Sequence, residues 1–320
     1  MLKMLLCAGA VGWIVGLASP AQAAGQPTIP IIVKDVTAPY WQAVLAGARK
    51  ASRDLGVNAP ELGAQSESDV AGQIAILENA VAAKPAAIVI APAEFRALGK
   101  PIDQAAKKVP IVAIDSLADS RAFAAFVGTD HVESGRIAAD GLAQAIVETY
   151  GKAEGEVALI AAPPGAAARD QRVKGFKDEL AAQYPGLRLV AEKVADSQLG
   201  AASVMLDLIA ANSGLRGVFA ASLAAGQGAG QAIADKQKAG AIKLVGFEID
   251  DRLVGLLKDG AIYALVVQDP FRIGYDGVKT ALAASKGEKV DGFVDAGATL
   301  VTKLNMDDDK PRALLLTRLK

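Results

Sequence analysis

Residues 87–90, Ala87-Ile88-Val89-Ile90, and residues 110–115, Pro110-Ile111-Val112-Ala113-Ile114-Asp115, decide the fold. Neither run alternates apolar with polar residues, so a strand made from either buries both faces. Strands of that kind belong to parallel sheets covered by helices on both sides. The segment between them, up to Lys108, reads as the crossover helix that a parallel pair requires.

The same unit recurs on either side. Pro30 to Val33 predicts a strand. Tyr40 to Leu55 predicts a helix, with Trp41, Val44, Leu45 and Ala48 at i, i+3, i+4 and i+7. Val57 to Gln65 is a strand weakened by Pro60. Glu67 to Ala83 is helical through Val70, Ile74, Leu77 and Val81, and Ala125-Phe126-Val127 is a further strand. The pattern then restarts. Helices are predicted over 132–150, 170–182, 199–211, 224–238, 250–258 and 271–284. Strands fall at 157–161, 187–194, 217–220, 242–247, 263–267 and 298–302. Two successive β-α series predict an α/β chain of two doubly wound parallel-sheet lobes. No Pro- or Ser-rich linker separates them. The tail after Lys303, with Asp307-Asp308-Asp309, reads as solvent-facing.

Met1 to Ala23 has a different character. It carries one charge, Lys3, an apolar run through Leu5, Val11, Trp13, Ile14, Val15 and Leu17, and the end Ser19-Pro20-Ala21-Gln22-Ala23. That is the pattern of a secretory signal peptide cleaved between Ala23 and Ala24, which predicts a protein exported from the cytoplasm. Gly9, Gly12, Gly16 and Pro20 break the run before it reaches membrane-spanning length. Leu6 before Cys7 does not fit a lipoprotein signal. Cys7 is the one cysteine of the chain, so export brings no disulfide with it.

Composition narrows the function. Lys and Arg total 34 against 35 Asp and Glu, for a net charge of −1, which argues against a nucleic-acid partner. A single histidine and no cysteine beyond the leader leave no metal motif, and no cofactor is expected. His131 sits in Thr129-Asp130-His131-Val132-Glu133, which reads as a helix start with Asp130 as N-cap and Glu133 in the capping-box position. Gly226-Gln227-Gly228-Ala229-Gly230 fits neither a dinucleotide fingerprint nor a phosphate loop and reads as close helix packing. No nucleophile elbow is present. The catalytic inventory is that of a non-enzyme.

Polar residues gather instead at strand ends, where open α/β sheets bind ligands. Thr37, Tyr40 and Trp41 follow the first strand. Asp115 and Ser116 follow the fourth, Ser222 follows Phe219, Glu248 follows Phe247, and Gln268 follows Val267. Arg172 opens a helix. Aromatic faces cover the C–H surface of a sugar or polyol, carboxylates accept from hydroxyls, and arginine donates to oxygens. Asp250 and Asp251 read as helix caps, and one of the adjacent Tyr40 and Trp41 faces the core.

At these residues the chain resembles the type I periplasmic sugar-binding proteins, the ribose-binding branch that serves ABC importers. Ala38-Pro39-Tyr40-Trp41 stands where that family has Asn-Pro-aromatic-aromatic. Pro110 to Asp115 is similar to its strand ending in a ligand-binding Asp, and Val127-Gly128-Thr129-Asp130 to its first crossing between lobes. Arg172-x-x-Gly175-Phe176 matches its ligand-binding Arg. Val245-Gly246-Phe247-Glu248 resembles its Val-Gly-Phe-Asp, and Gln268-Asp269-Pro270-Phe271-x-x-Gly274 its Gln-x-Pro.

The resemblance implies two lobes joined by three hinge crossings, near Asp130, near Gln268-Asp269 and near Ala296. That places a signal peptide at 1–23, an N-terminal lobe at 24–130 plus 269–296, and a C-terminal lobe at 131–268 plus 297–320. With the signal peptide, it implies a periplasmic monomer that closes on a small sugar or polyol and docks on an ABC permease at the inner membrane. The departures concern the ligand. Ala38 replaces an Asn, Ser116 an Arg, Ser197 an aromatic, Ser222 an Asn, and Glu248 an Asp. A site missing these partners predicts a small sugar or polyol other than ribose. A sensory binder presenting a sugar-like signal to a membrane receptor is the alternative, and an exported α/β hydrolase stands behind it.

Overall fold

A computed structural model describes residues 25–163 and 167–316. The predicted signal peptide, residues 1–23, and its predicted cleavage site lie outside the described residues. The chain runs β1 (Ile31–Val33), α1 (Pro39–Leu55), β2 (Glu61–Gly63), α2 (Val70–Ala82), β3 (Ile88–Ile90), α3 (Gly99–Ala106), β4 (Ile111–Ile114) and β5 (Ala125–Gly128). It continues α4 (His131–Tyr150), β6 (Gly155–Ala161), α5 (Ala167–Gln183), β7 (Leu187–Val194), α6 (Gln198–Ala211), β8 (Leu215–Ala220), α7 (Leu223–Asp235) and β9 (Lys243–Phe247). It ends α8 (Asp251–Lys258), β10 (Ala264–Gln268), α9 (Pro270–Ser285), β11 (Phe293–Asp295), β12 (Ala298–Thr302) and α10 (Asp309–Leu316).

Two six-stranded sheets result. The first has the order β11-β5-β4-β3-β1-β2, the second β12-β10-β9-β8-β6-β7. Every pair is parallel except β10–β12. The unbroken apolar runs bury both faces. Ile31 and Val33 point into one core cluster, and Ile32 points into the cluster on the other side. Leu159 and Ile160 divide in the same way in the second sheet. Each such side chain contributes roughly 1.5–3 kcal/mol by leaving water. Pro60 confines β2 to three residues at a sheet edge, where a missing donor is tolerated.

The two sheets share one plan: β1, β3, β4 and β5 match β6, β8, β9 and β10 in order. The covering helices are exchanged. α4 leaves the first sheet and packs on α5 and the second sheet, while α9 leaves the second and packs on α1 and the first. Glycines bring each helix pair together. A Cβ on Gly274 of α9 would lie 1.8 Å from the Val44 carbonyl oxygen, and one on Gly175 of α5 would lie 1.9 Å from that of Val132. Three crossings therefore join the lobes: β5 to α4, β10 to α9, and β11 to β12. They are tied together. Asp295 Oδ1 accepts from the N–H of Asp130 (3.0 Å) and of Gly297 (2.8 Å), and Gln268 Nε2 donates to Thr129 Oγ1 (3.0 Å).

Two regions differ from the sequence expectation. β11 was absent from it, because Phe293-Val294-Asp295 is too short to show an apolar run. The acidic tail is not wholly solvent-facing: Met306 and Leu314 are buried in the second lobe's core, with α10 carrying Leu314 there.

Candidate functional site

The carboxyl ends of both sheets face one cleft, and two carboxylates occupy matching positions in it. Asp115 follows β4 and Glu248 follows β9. Both backbones lie in the left-handed region, with φ of 62° and 72°. A residue with a side chain adopts that conformation at a cost, and such residues cluster at ligand sites. Each turn is pinned to the next strand: Asp115 N–H donates to the Val127 carbonyl and Glu248 N–H to that of Val266, both at 3.0 Å.

On the first lobe, Asp115 is already engaged. Its Oδ1 accepts from the Tyr40 hydroxyl at 2.7 Å, and its Oδ2 from Lys34 Nζ at 3.0 Å. Lys34 also lies 5.3 Å from the centre of the Trp41 ring. Trp41 is 2 % exposed, packs in the core, and donates its indole N–H to Glu67 Oε1 at 2.6 Å. Of the two adjacent aromatics, Tyr40 takes the cleft side and Trp41 the core. Thr37 gives its N–H and hydroxyl to Asp35 Oδ1, which holds that exposed carboxyl below its ordinary range. Ser116 donates to the Pro92 carbonyl at 3.0 Å, tying the β4 turn to the loop after β3.

On the second lobe the central group is Arg172, 3 % exposed. Gly135 and Gly175 let α4 and α5 close to backbone contact, which carries the side chain inward. Its guanidinium lies 3.3 Å from the centre of the Phe247 ring, and Nη1 donates to the Ala221 carbonyl at 2.9 Å. Nη2 lies 3.4 Å from His131 Nδ1, and Nη1 lies 4.0 Å from Glu248 Oε1, close enough for charge attraction but not for a hydrogen bond. Nε is buried with no partner among the described residues. Burial lowers the Arg172 pKa to about 10, with Glu248 opposing. The same burial, helped by the Arg172 cation, pushes His131 from 6.5 down to about 4; Asp115, Asp130 and Asp295 oppose.

Ser197 and Ser222 are N-caps, accepting from Gly200 N–H and Ala225 N–H at 3.2 and 3.3 Å. Each oxygen keeps a second lone pair and a rotatable O–H. Asp250 caps α8 as expected. Asp130 caps α4 by accepting from Val132 and Glu133, but its own N–H goes to Asp295 and not to Glu133, so no reciprocal box forms. Tyr40, Glu248, Gln268, Pro270 and Leu314 line one narrow cavity between the lobes.

The structure thus gathers Tyr40 and Asp115 on one lobe and Arg172 and Glu248 on the other. Two neighbours escaped the sequence reading. Lys34 directly follows β1, a position that gave the only available signal. His131 was assigned to a helix start, and it serves there while also meeting Arg172. The assembly offers charged acceptors, charged donors and aromatic edges around a small polar molecule. Among the described residues, no group of His, Cys, Asp and Glu could hold a metal ion.

Residues 29–289 match the family described as the periplasmic binding protein domain. A carbohydrate transporter solute binding protein from Agrobacterium radiobacter, crystallised with D-arabinose, is 59 % identical with a TM-score of 0.73, over 92 % of this chain and all of that one. An arabinose binding protein from Geobacillus stearothermophilus is 28 % identical with a TM-score of 0.79, over 88 % and 98 % of the two chains. A ribose import binding protein from Haemophilus influenzae is 26 % identical over 91 % of this chain and 96 % of its own.

Proposed function

The chain belongs to the periplasmic binding protein domain family, and from that premise we propose that it captures a small sugar between its two lobes for an ABC importer. Its relatives are solute-binding components of transporters, so it is a carrier and not an enzyme. One observation carries the reading of the site. The matching carboxylates Asp115 and Glu248 are held in a costly backbone conformation on opposite lobes, beside a buried arginine with an unused donor. That arrangement suits a ring of hydroxyls, each of which both donates and accepts.

We take the ligand to be an aldose of pentose size, with D-arabinose as the first candidate. The support is the 59 % identity to the D-arabinose-bound protein. In this reading Asp115, Tyr40 and Lys34 hold the sugar from the N-terminal lobe, residues 24–130 plus 269–296. Arg172, Glu248 and Gln268 hold it from the C-terminal lobe, residues 131–268 plus 297–320. Thr37, Ser116, Ser197 and Ser222 shape the rim, and Trp41 backs Lys34 from the core. The lobes close by rotation at the three crossings. The closed monomer, freed of residues 1–23 on export to the periplasm, delivers its cargo to a membrane permease.

A thermal-shift screen of the mature chain tests this. Pentoses, hexoses and polyols are set against amino acids and inorganic anions. Stabilisation by a pentose is expected; stabilisation by amino acids or anions alone would overturn the reading.

A further inference from the structure

Arg172 can only donate hydrogen bonds, and its position is fixed by three neighbours: the Phe247 ring beneath it, the Ala221 carbonyl on Nη1, and His131 Nδ1 facing Nη2 at 3.4 Å. The histidine must therefore be the acceptor. An imidazole accepts only in its neutral form and through its unprotonated nitrogen, so the contact selects the tautomer with the proton on Nε2. His131 is well placed to hold that state. It is the first residue of α4, fixed by Asp130, whose carboxylate caps the helix. Its ring tilts toward Phe247, with centroids 6.4 Å apart, so one aromatic residue supports both members of the pair.

We propose that His131 is a positioning residue for the ligand site: its neutral Nδ1 accepts from Arg172 and aims the guanidinium into the cleft. This rests on the sugar-binding reading and adds a residue to it. The groups facing the imidazole come from every side. Arg172 on α5 favours the neutral ring, while Asp115 after β4, Asp130 at the start of α4 and Asp295 at the third crossing favour the cation. Burial, joined by Arg172, outweighs the three carboxylates and holds the ring neutral well below its ordinary range. Protonation would remove the acceptor and set two cations against each other, turning Arg172 away from the sugar.

The chain has one histidine, so an untagged sample gives a single imidazole signal. Long-range proton–nitrogen NMR at pH 7 should show Nδ1 unprotonated and Nε2 protonated, and that pattern should blur in Arg172→Ala. Calorimetric titration with D-arabinose then separates acceptor from bulk. In His131→Asn the amide oxygen can stand where Nδ1 stood, and affinity should stay within about threefold of the parent. In His131→Leu affinity should fall roughly tenfold or more, the loss tied to one hydrogen bond to a charged group. Circular dichroism and melting at pH 7 establish that both variants fold. Protonated Nδ1 in the parent, or a folded His131→Leu that binds like the parent, would overturn the proposal. A parent that binds no sugar in the panel would instead overturn the sugar-binding reading.

Discussion

Replacing Gly175 with alanine should cost ligand affinity more than it costs stability. The new Cβ would lie 1.9 Å from the Val132 carbonyl oxygen and 2.8 Å from its carbon. Both are backbone atoms of α4, so no flexible side chain can yield. To restore ordinary contact, α5 must retreat by about 1 Å or more. Arg172 stands one turn earlier on that helix, where its own carbonyl packs on Gly135. A shift of that size stretches the 2.9 Å bond to Ala221 beyond hydrogen-bond range and lifts the guanidinium from its 3.3 Å seat on Phe247.

The energies separate the two effects. Overpacking costs about 1–3 kcal/mol, and the better helix propensity of alanine returns about 1 kcal/mol. Misplacing one charge-assisted donor costs about 1.5–3 kcal/mol of binding, an affinity loss of roughly 10- to 150-fold. Calorimetric titration with D-arabinose, beside thermal melts, measures both. Gly255→Ala on α8, where a Cβ meets open space, is the matched control and should leave affinity unchanged. A Gly175→Ala chain that binds as tightly as the parent would refute the claim that glycine packing aims Arg172.

Asp115→Asn should fold normally, since asparagine tolerates the φ of 62°, yet lose at least about tenfold in affinity as the charge that holds Lys34 disappears; full affinity would remove Asp115 from the site. Between pH 6.5 and 4 an unfolded chain takes up a proton at His131 that the folded chain refuses. Stability should therefore fall with pH across that window by about 3 kcal/mol from this group. Urea unfolding of the parent and of His131→Asn at pH 7 and 4.5 checks this, and identical pH slopes would contradict it. In a chain without residues 1–23, Trp41 is the only tryptophan, so ligand that disturbs the Lys34–Asp115 pair should change a single fluorescence signal; a silent signal at saturating sugar would argue against binding at that pair.

The architecture was largely legible because its strands are buried on both faces. Ile88-Val89-Ile90 and Ile111-Val112-Ala113-Ile114 announce themselves as unbroken apolar runs. β11 does not, because its three residues become a strand only by joining β5 of the same sheet, from which β6 to β10 of the second sheet separate them in sequence. Leu314 was hidden behind three aspartates that read as solvated. In the site, strand-end logic singles out Asp115, Glu248 and Gln268, but nothing in the residue types of Asp115 and Glu248 announces the left-handed backbone those two adopt. Ser197 and Ser222 carry the ordinary signature of helix caps, and the structure uses them so. Lys34 drew no reading because its partner, Asp115, lies 81 residues along the chain. His131 satisfied a local rule so well that its contact with Arg172, from a different helix, left no trace in the sequence.

The most direct test of the account is a crystal structure of the chain without residues 1–23, grown with D-arabinose. The account predicts one sugar enclosed between the lobes, with hydroxyls on Asp115 from one side and on Arg172 and Glu248 from the other. A sugar bound elsewhere, or a closed cleft whose density is not a sugar, would contradict it.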